Sequence, residues 1–172
     1  MELEIEKQSK DVRIITGDEA KLRRELLNKM IVLAEEKQFK EIILPSVEPQ
    51  AIYTEKAGNE ILGQMYTFKD KGDRDLCLRP EGTATVQLIA NKYWKSQKDV
   101  KLWYFERCWR YERPQLGRYR EFFQFGVEWI NPRDLQAAKA ELIDLAKRMV
   151  ELVTNEYEIN DSVKRGLSYY TT

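Results

Sequence analysis

The sequence predicts an α+β fold in which an antiparallel β-sheet is flanked by helices. Three observations carry this. Apolar residues recur at helical spacing in three separate stretches, and between them lie short β-branched or aromatic runs with period-two alternation. Turn-forming residues join neighbouring runs closely enough for hairpins, which favours antiparallel over parallel pairing. The 172 residues, 42% hydrophobic and 34% charged, are enough for one domain with a core and do not read as disordered.

Taken in order, Thr16-Gly17-Asp18-Glu19 fits a capping box, and Leu22, Leu26, Met30, Leu33 and Ala34 continue an amphipathic helix to about Gln38. Glu41-Ile42-Ile43-Leu44-Pro45 is a β-branched run stopped by proline and predicts a short strand. Segments 65–69 and 75–79 predict two strands joined as a hairpin by Asp70-Lys71-Gly72-Asp73-Arg74. A helix is predicted over 83–95, with Ala84, Leu88 and Trp94 among its apolar positions. Pro80-Glu81-Gly82 before it places Glu81 at a strand-to-helix corner, a kind of place that often faces a pocket.

Segments 101–112 and 121–130 are the best strand pair. Side chains alternate, so Phe123, Phe125, Val127 and Trp129 share one face of the second strand while Gln124, Gly126 and Glu128 share the other. The first strand sends Glu106, Cys108, Arg110 and Glu112 one way and Trp103, Phe105, Trp109 and Tyr111 the other. The aromatic faces read as core. The polar face reads either as the floor of a polar-ligand site or as the solvated side of an antiparallel sheet. Asn131-Pro132-Arg133-Asp134 predicts an N-cap with proline at the first helical position, and a packing helix to about Thr154. Strands are expected at 156–160 and 163–170, the latter interrupted by Gly166.

Between segments 101–112 and 121–130 the turn holds Arg113, Arg118 and Arg120, with Arg110 at its base. That is more fixed positive charge than a turn needs, and planar guanidinium groups grip phosphate oxygens bidentately, which points to a nucleotide and favours the ligand-floor reading. Arg113 and Arg120 also fit an ion-paired turn. Lys plus Arg and Asp plus Glu both number 29, so attraction to a polyanion must come from such local patches. With no histidine, triads, Cys–His pairs and imidazole bases are excluded, and no GxxxxGK[ST] or GxGxxG loop is present. Catalysis would therefore rest on arginines, carboxylates, amides and positioning. Cys77 and Cys108 cannot make a standard zinc set and are expected as buried thiols of a cytosolic protein; no metal ligands are assigned. No run of about 18 apolar residues and no signal-peptide core are seen, so a soluble cytoplasmic chain without a membrane partner is expected.

Leu78-Arg79-Pro80-Glu81-Gly82-Thr83-Ala84, Arg110-Tyr111-Glu112-Arg113-Pro114-Gln115 with Gly117-Arg118-Tyr119-Arg120, Gln124 with Glu128, and Arg165-Gly166-Leu167 with Tyr169-Tyr170 follow one another in an order that closely resembles histidyl-tRNA synthetase, a class II aminoacyl-tRNA synthetase. The resemblance covers nearly the whole chain, 39–45 being similar to the class II dimer-interface motif and 104–128 to the ATP-binding hairpin. It implies a class II catalytic core that uses ATP, with Mg2+, to turn histidine into histidyl-adenylate for transfer to tRNA(His), and a homodimer. By residue, it implies that Arg110 holds the α-phosphate, that Glu112 and Arg118 take adenine and the outer phosphates, and that Glu81 and Thr83 accept from the α-ammonium of histidine. Gln124 would share the amino-acid backbone, Glu128 and Tyr170 would read the imidazole, and Arg165 would supplement Arg110 at the reacting carboxylate and phosphate.

The family's third motif, its helical insertion and its anticodon-binding domain have no counterpart here, and only 34 residues separate Ile130 from Arg165. An incomplete catalytic domain is thus expected over 1–172. Ser168 stands where the tyrosine motif usually has aspartate, and Phe123 where histidine usually precedes the glutamine. Two other readings are carried forward: a histidine-sensing regulatory subunit of ATP phosphoribosyltransferase, which would tend to lose the arginine-dense hairpin, and a non-catalytic fragment.

Overall fold

Helix α1 (Gly17–Glu36) begins with Asp18 and Glu19 in its first turn, where carboxylates complement the exposed N–H groups. Thr16 occupies the N-cap position, but its side chain makes no capping hydrogen bond, so the predicted box is not formed. The other end is closed by a Schellman motif: Phe39 N–H donates to the carbonyl of Ala34 and Gln38 N–H to that of Glu35, at 3.1 and 2.8 Å. Gln38 takes the left-handed conformation (φ +64°) that glycine usually fills there. A computed structural model describes residues 14–57, 59–111 and 119–154. The turn over 112–118, with Glu112 and Arg118, and the strands expected at 156–160 and 163–170, with Arg165 and Tyr170, lie outside the described residues.

The chain continues through β1 (Lys40–Glu41), β2 (Val47–Pro49), α2 (Ala51–Ala57), a 3-10 turn (Asn59–Gln64), β3 (Thr67–Lys69), β4 (Asp75–Leu78), α3 (Thr83–Tyr93), β5 (Val100–Trp109), β6 (Glu121–Ile130) and α4 (Leu135–Glu151). One sheet has the order β1-β5-β6 and the other β2-β4-β3. The predicted hairpin is the antiparallel pair β3–β4; Asp70 Oδ1 accepts from the amides of Gly72 and Arg74 at 2.8 and 3.0 Å and so shapes its turn. β5 and β6 are antiparallel neighbours: Arg110 N–H donates to Arg120 at one end and Asp99 N–H to Asn131 at the other. β1 instead pairs with β5 in parallel, Lys40 beside Leu102 and Glu41 beside Trp103.

Among the described residues there are two compact units, with β5 and β6 contributing to both. In the first, built from Ile43–Leu88 and Tyr104–Gly126, the sheet β2-β4-β3 packs Tyr53, Met65 and Cys77 against Ile52 and Ala84. In the second, built from Ile15–Ile42, Ile89–Trp103 and 127–154, α1 packs on α4, and Ala34, Phe39, Leu102, Trp103, Ala138 and Leu145 are its buried apolar residues. There Lys101 Nζ donates to the carbonyl of Lys37 and to Glu141, at 3.1 and 2.7 Å, and lies 3.8 Å over the Trp129 ring.

Several local expectations are corrected. The strand expected over 41–45 is only the two residues of β1; the chain leaves the sheet there and Ile43 is 80% exposed. Asn131 is not the cap of α4. It sits at φ +48°, and its side-chain amide donates to the carbonyls of Trp94, Lys95 and Gln97. Asp134 caps instead, Oδ1 accepting from Gln136 and Ala137 at 2.9 and 3.0 Å. The aromatic face of β6 is not the more buried one: Phe123 is 36% exposed whereas Glu128 is 8% exposed. Phe123 instead stacks on Phe105 at 4.9 Å with Arg107 over it, and of the three predicted core tryptophans Trp103 is buried while Trp109 and Trp129 are half-buried.

Candidate active site

The first unit assembles the predicted polar residues around one corner of chain. β4 ends at Leu78, and Arg79-Pro80-Glu81-Gly82 turns the chain into α3, which starts at Thr83. Arg79, with no exposed surface, fastens this corner: its guanidinium donates to the carbonyl of Pro45, to Glu106 Oε2 at 2.8 Å and to the carbonyl of Arg107 at 2.9 Å. Glu106 in turn accepts from Leu44 N–H at 2.7 Å, so the buried ion pair has further hydrogen bonds that offset its desolvation.

On that corner both oxygens of Glu81 are engaged. Oε2 accepts from the amide of Thr83 and Oε1 from that of Ala84, at 2.7 and 2.8 Å, so the carboxylate covers the positive end of α3. Thr83 Oγ1 lies 3.4 Å from the Tyr104 hydroxyl. Gln124 Oε1 accepts from Gly82 N–H at 3.1 Å and is 3.5 Å from the Cys108 thiol, which leaves the amide NH2 of Gln124 as the part able to donate elsewhere. Arg110 Nε donates to the carbonyl of Pro80 at 2.9 Å and its guanidinium lies 5.1 Å over the Phe122 ring. Among the described residues the terminal nitrogens of Arg110 make no further hydrogen bond. The carboxylate of Glu81, the amide of Gln124 and the guanidinium of Arg110 are thus each held by a backbone group of the same corner, and the Thr83 hydroxyl lies against that of Tyr104. Arg120, at the base of the turn, stacks on Tyr111 at 4.2 Å. Glu128 belongs to the second unit, buried on β6.

Sequence reasoning missed the groups beneath the corner. Tyr104 is 1% exposed and fills the space that side chains at Gly82 and Gly126 would take: a Cβ added at Gly82 would lie 2.5 Å from its ring, and one at Gly126 2.1 Å. The glycine between Gln124 and Glu128 therefore makes room for this tyrosine. Glu48, 1% exposed, accepts from Thr85 Oγ1 at 2.6 Å and from the Tyr53 hydroxyl, and that hydroxyl also lies 3.2 Å from the Glu81 carbonyl. Burial raises the carboxyl of Glu48 above its ordinary value, against the hydrogen bonds of Thr85 and Tyr53. The Cys77 thiol is pushed up to about 12 by burial and by the nearby Glu48, and Cys108 is raised by burial; both are buried free thiols. In the sequence Arg79 stood out only as part of the 78–84 motif, and Glu48, between Val47 and Pro49, gave no periodic signal.

A sequence profile of the family described as Histidyl-tRNA synthetase matches residues 12–160. The chain is 44% identical over 135 residues to a histidine–tRNA ligase of Archaeoglobus fulgidus, covering 78% of this chain and 33% of that protein. It is 48% identical over 116 residues to that of Methanosarcina acetivorans, covering 67% and 28%. The chain spans about a third of the length of the curated relatives it matches. Among solved structures, the apo histidyl-tRNA synthetase of S. aureus superimposes with a TM-score of 0.68 at 31% identity, covering 81% of this chain and 33% of that one. An ATP phosphoribosyltransferase regulatory subunit/histidyl-tRNA synthetase of Bacillus halodurans reaches a TM-score of 0.62 at 23% identity, covering 81% and 37%, and shares the fold.

Proposed function

This chain belongs to the histidyl-tRNA synthetase family, and from that premise we propose that it forms the part of a histidine–tRNA ligase that builds histidyl-adenylate from histidine and ATP. The carrying observation is the convergence of Glu81, Thr83, Gln124 and Arg110 on one buried-anchored corner. In this reading Glu81 and Thr83 accept from the α-ammonium of histidine and Gln124 donates to its carboxylate. That carboxylate attacks the α-phosphorus of ATP, a P–O bond forms, and pyrophosphate leaves with the electrons of the broken P–O bond. Arg110 neutralises charge building on the α-phosphate, which is the main service a protein renders to phosphoryl-type transfer.

Glu128 and Tyr170 would read the imidazole, Arg165 would assist Arg110, and Glu112 and Arg118 would hold adenine and the outer phosphates. The polyphosphate of ATP calls for Mg2+. Among the described residues no three His, Cys, Asp or Glu side chains are grouped to hold a metal ion; Mg2+ carried by ATP would be held by the phosphates and needs only one or two protein carboxylates. A homodimer, tRNA(His) as acceptor and a cytoplasmic location complete the proposal. Among the described residues no helix is long and apolar enough to cross a membrane.

The test is histidine-dependent exchange of pyrophosphate into ATP. Arg110→Ala is expected to lower exchange by at least about 10²-fold, the scale of losing a charge-stabilising donor, and Glu128→Ala to weaken histidine recognition. Exchange unaffected by Arg110→Ala would refute the assignment, and tight histidine binding with no exchange would make the chain a sensor instead.

A further inference from the structure

The cluster beneath the corner contains more hydrogen-bond contacts than an ionised carboxylate can supply with protons. Four contacts join four groups: Tyr53 Oη to Glu48 Oε2, Tyr53 Oη to Thr85 Oγ1 at 3.1 Å, Tyr53 Oη to the Glu81 carbonyl at 3.2 Å, and Thr85 Oγ1 to Glu48 Oε2 at 2.6 Å. A carboxylate and a carbonyl only accept, so with Glu48 ionised the two hydroxyls bring two protons, and both are drawn to Glu48. The Glu81 carbonyl is then left without its donor. A proton on Glu48 changes the count: Glu48 donates to the Tyr53 hydroxyl, Tyr53 is free to donate to the Glu81 carbonyl, and Thr85 still donates to Glu48.

The surroundings agree. Among the described residues Glu48 Oε1 is buried and has no hydrogen-bond partner, a costly state for half of a charge and a tolerable one for a neutral acid. Arg79, a cation whose charge acts on Glu48, is itself paired with Glu106. The other titratable groups facing Glu48 are Tyr53, Glu81 and Cys77; Glu81 repels a charge on it, and Cys77 donates to the Glu48 carbonyl and not to its carboxyl.

We propose that Glu48 is held as a neutral carboxylic acid and is a positioning residue, directing the Tyr53 hydroxyl onto the Glu81 carbonyl and so fixing the corner that presents Glu81 and Thr83 to the amino acid. The ligand half of this rests on the function proposed above; the proton half does not. Three variants test it in the full chain: Glu48→Gln, which keeps shape and a donor without charge, Glu48→Ala, and Tyr53→Phe.

The infrared difference spectrum of wild type minus Glu48→Gln at neutral pH is expected to contain the carbonyl stretch of a protonated acid; a carboxylate stretch in its place overturns the proposal. Histidine affinity by calorimetry should be retained in Glu48→Gln and fall about ten-fold in Tyr53→Phe and Glu48→Ala, the scale of one hydrogen bond, with ATP affinity unchanged. Equal losses in Glu48→Gln and Glu48→Ala, or none in Tyr53→Phe, also overturn it. Should wild type bind no histidine, the functional reading falls. The infrared band and the Gly82 amide resonance, expected to move in Tyr53→Phe and stay in Glu48→Gln, then still decide for or against the neutral acid and the fixed corner.

Discussion

Substituting Gly126 by alanine is expected to strain the fold because its added methyl has no free volume. The new Cβ would stand 2.1 Å from Tyr104 Cζ, 2.4 Å from the hydroxyl oxygen and 2.6 Å from Cε1, whereas carbon atoms rest about 3.5–4.0 Å apart. Relief requires the ring to retreat by more than about 1 Å, and on the other side it already lies where a Gly82 Cβ would be, at 2.5 Å. With no exit for a residue 1% exposed, the cost should reach the upper end of overpacking, about 3 kcal/mol. For a chain of this size that lowers Tm by roughly 6–12 °C. The assay is urea and thermal unfolding of Gly126→Ala alone and in a Tyr104→Leu background, where the ring atoms responsible are gone. The two substitutions should couple by about 1–2 kcal/mol in the relieving direction. An unchanged urea midpoint, or the same cost in both backgrounds, would refute the steric argument.

Three further outcomes are expected. Gln38→Gly should stabilise by roughly 0.5–1 kcal/mol in urea melts, because the Schellman position at φ +64° carries a Cβ penalty that glycine removes. Lys101→Ala should destabilise by about 2–3 kcal/mol, since it strips a cation from the carbonyl end of α1, from Glu141 and from Trp129 together; a loss below 0.5 kcal/mol would be the mark of a merely exposed pair. The pH dependence of stability should differ between wild type and Glu48→Gln. A folded-state value raised above 4.5 means that Glu48 contributes fully below that pH and loses its contribution as pH rises through the raised value, so the variant should gain on wild type from 4.5 towards neutrality. Parallel pH profiles of the two proteins would contradict the raised value.

Legibility in the sequence tracked how local the physics was. The bounds 121–130 of β6 and the hairpin β3–β4 could be read because alternation and turn chemistry reside in the segment itself. Segment 47–64, with β2, α2 and a 3-10 turn, was not read: each piece is short, and none repeats long enough to show a period. Alternation on β6 separated two faces, and apolar character then chose the aromatic one as core, which Phe123 and Glu128 contradict. The corner, with Arg79 and Glu106 under it, brings hydrogen-bonding partners to the polar face, so Gln124 is met there while Phe123 stays in contact with solvent. Among site residues, Arg110, Glu81 and Gln124 were legible as polar groups on strands and at a corner. Glu48 was not, because its meaning depends on Tyr53 and Thr85, which reach it from other elements.

The double tether on Glu81 bears on affinity. A glutamate side chain forfeits up to about 1.5–2 kcal/mol of rotamer freedom when it is immobilised. Here the amides of Thr83 and Ala84 impose that loss during folding, so an arriving ammonium meets an aimed acceptor and need not freeze a mobile one. Shortening the chain to aspartate would keep the charge yet sacrifice this rigidity, trading an aimed acceptor for a searching one.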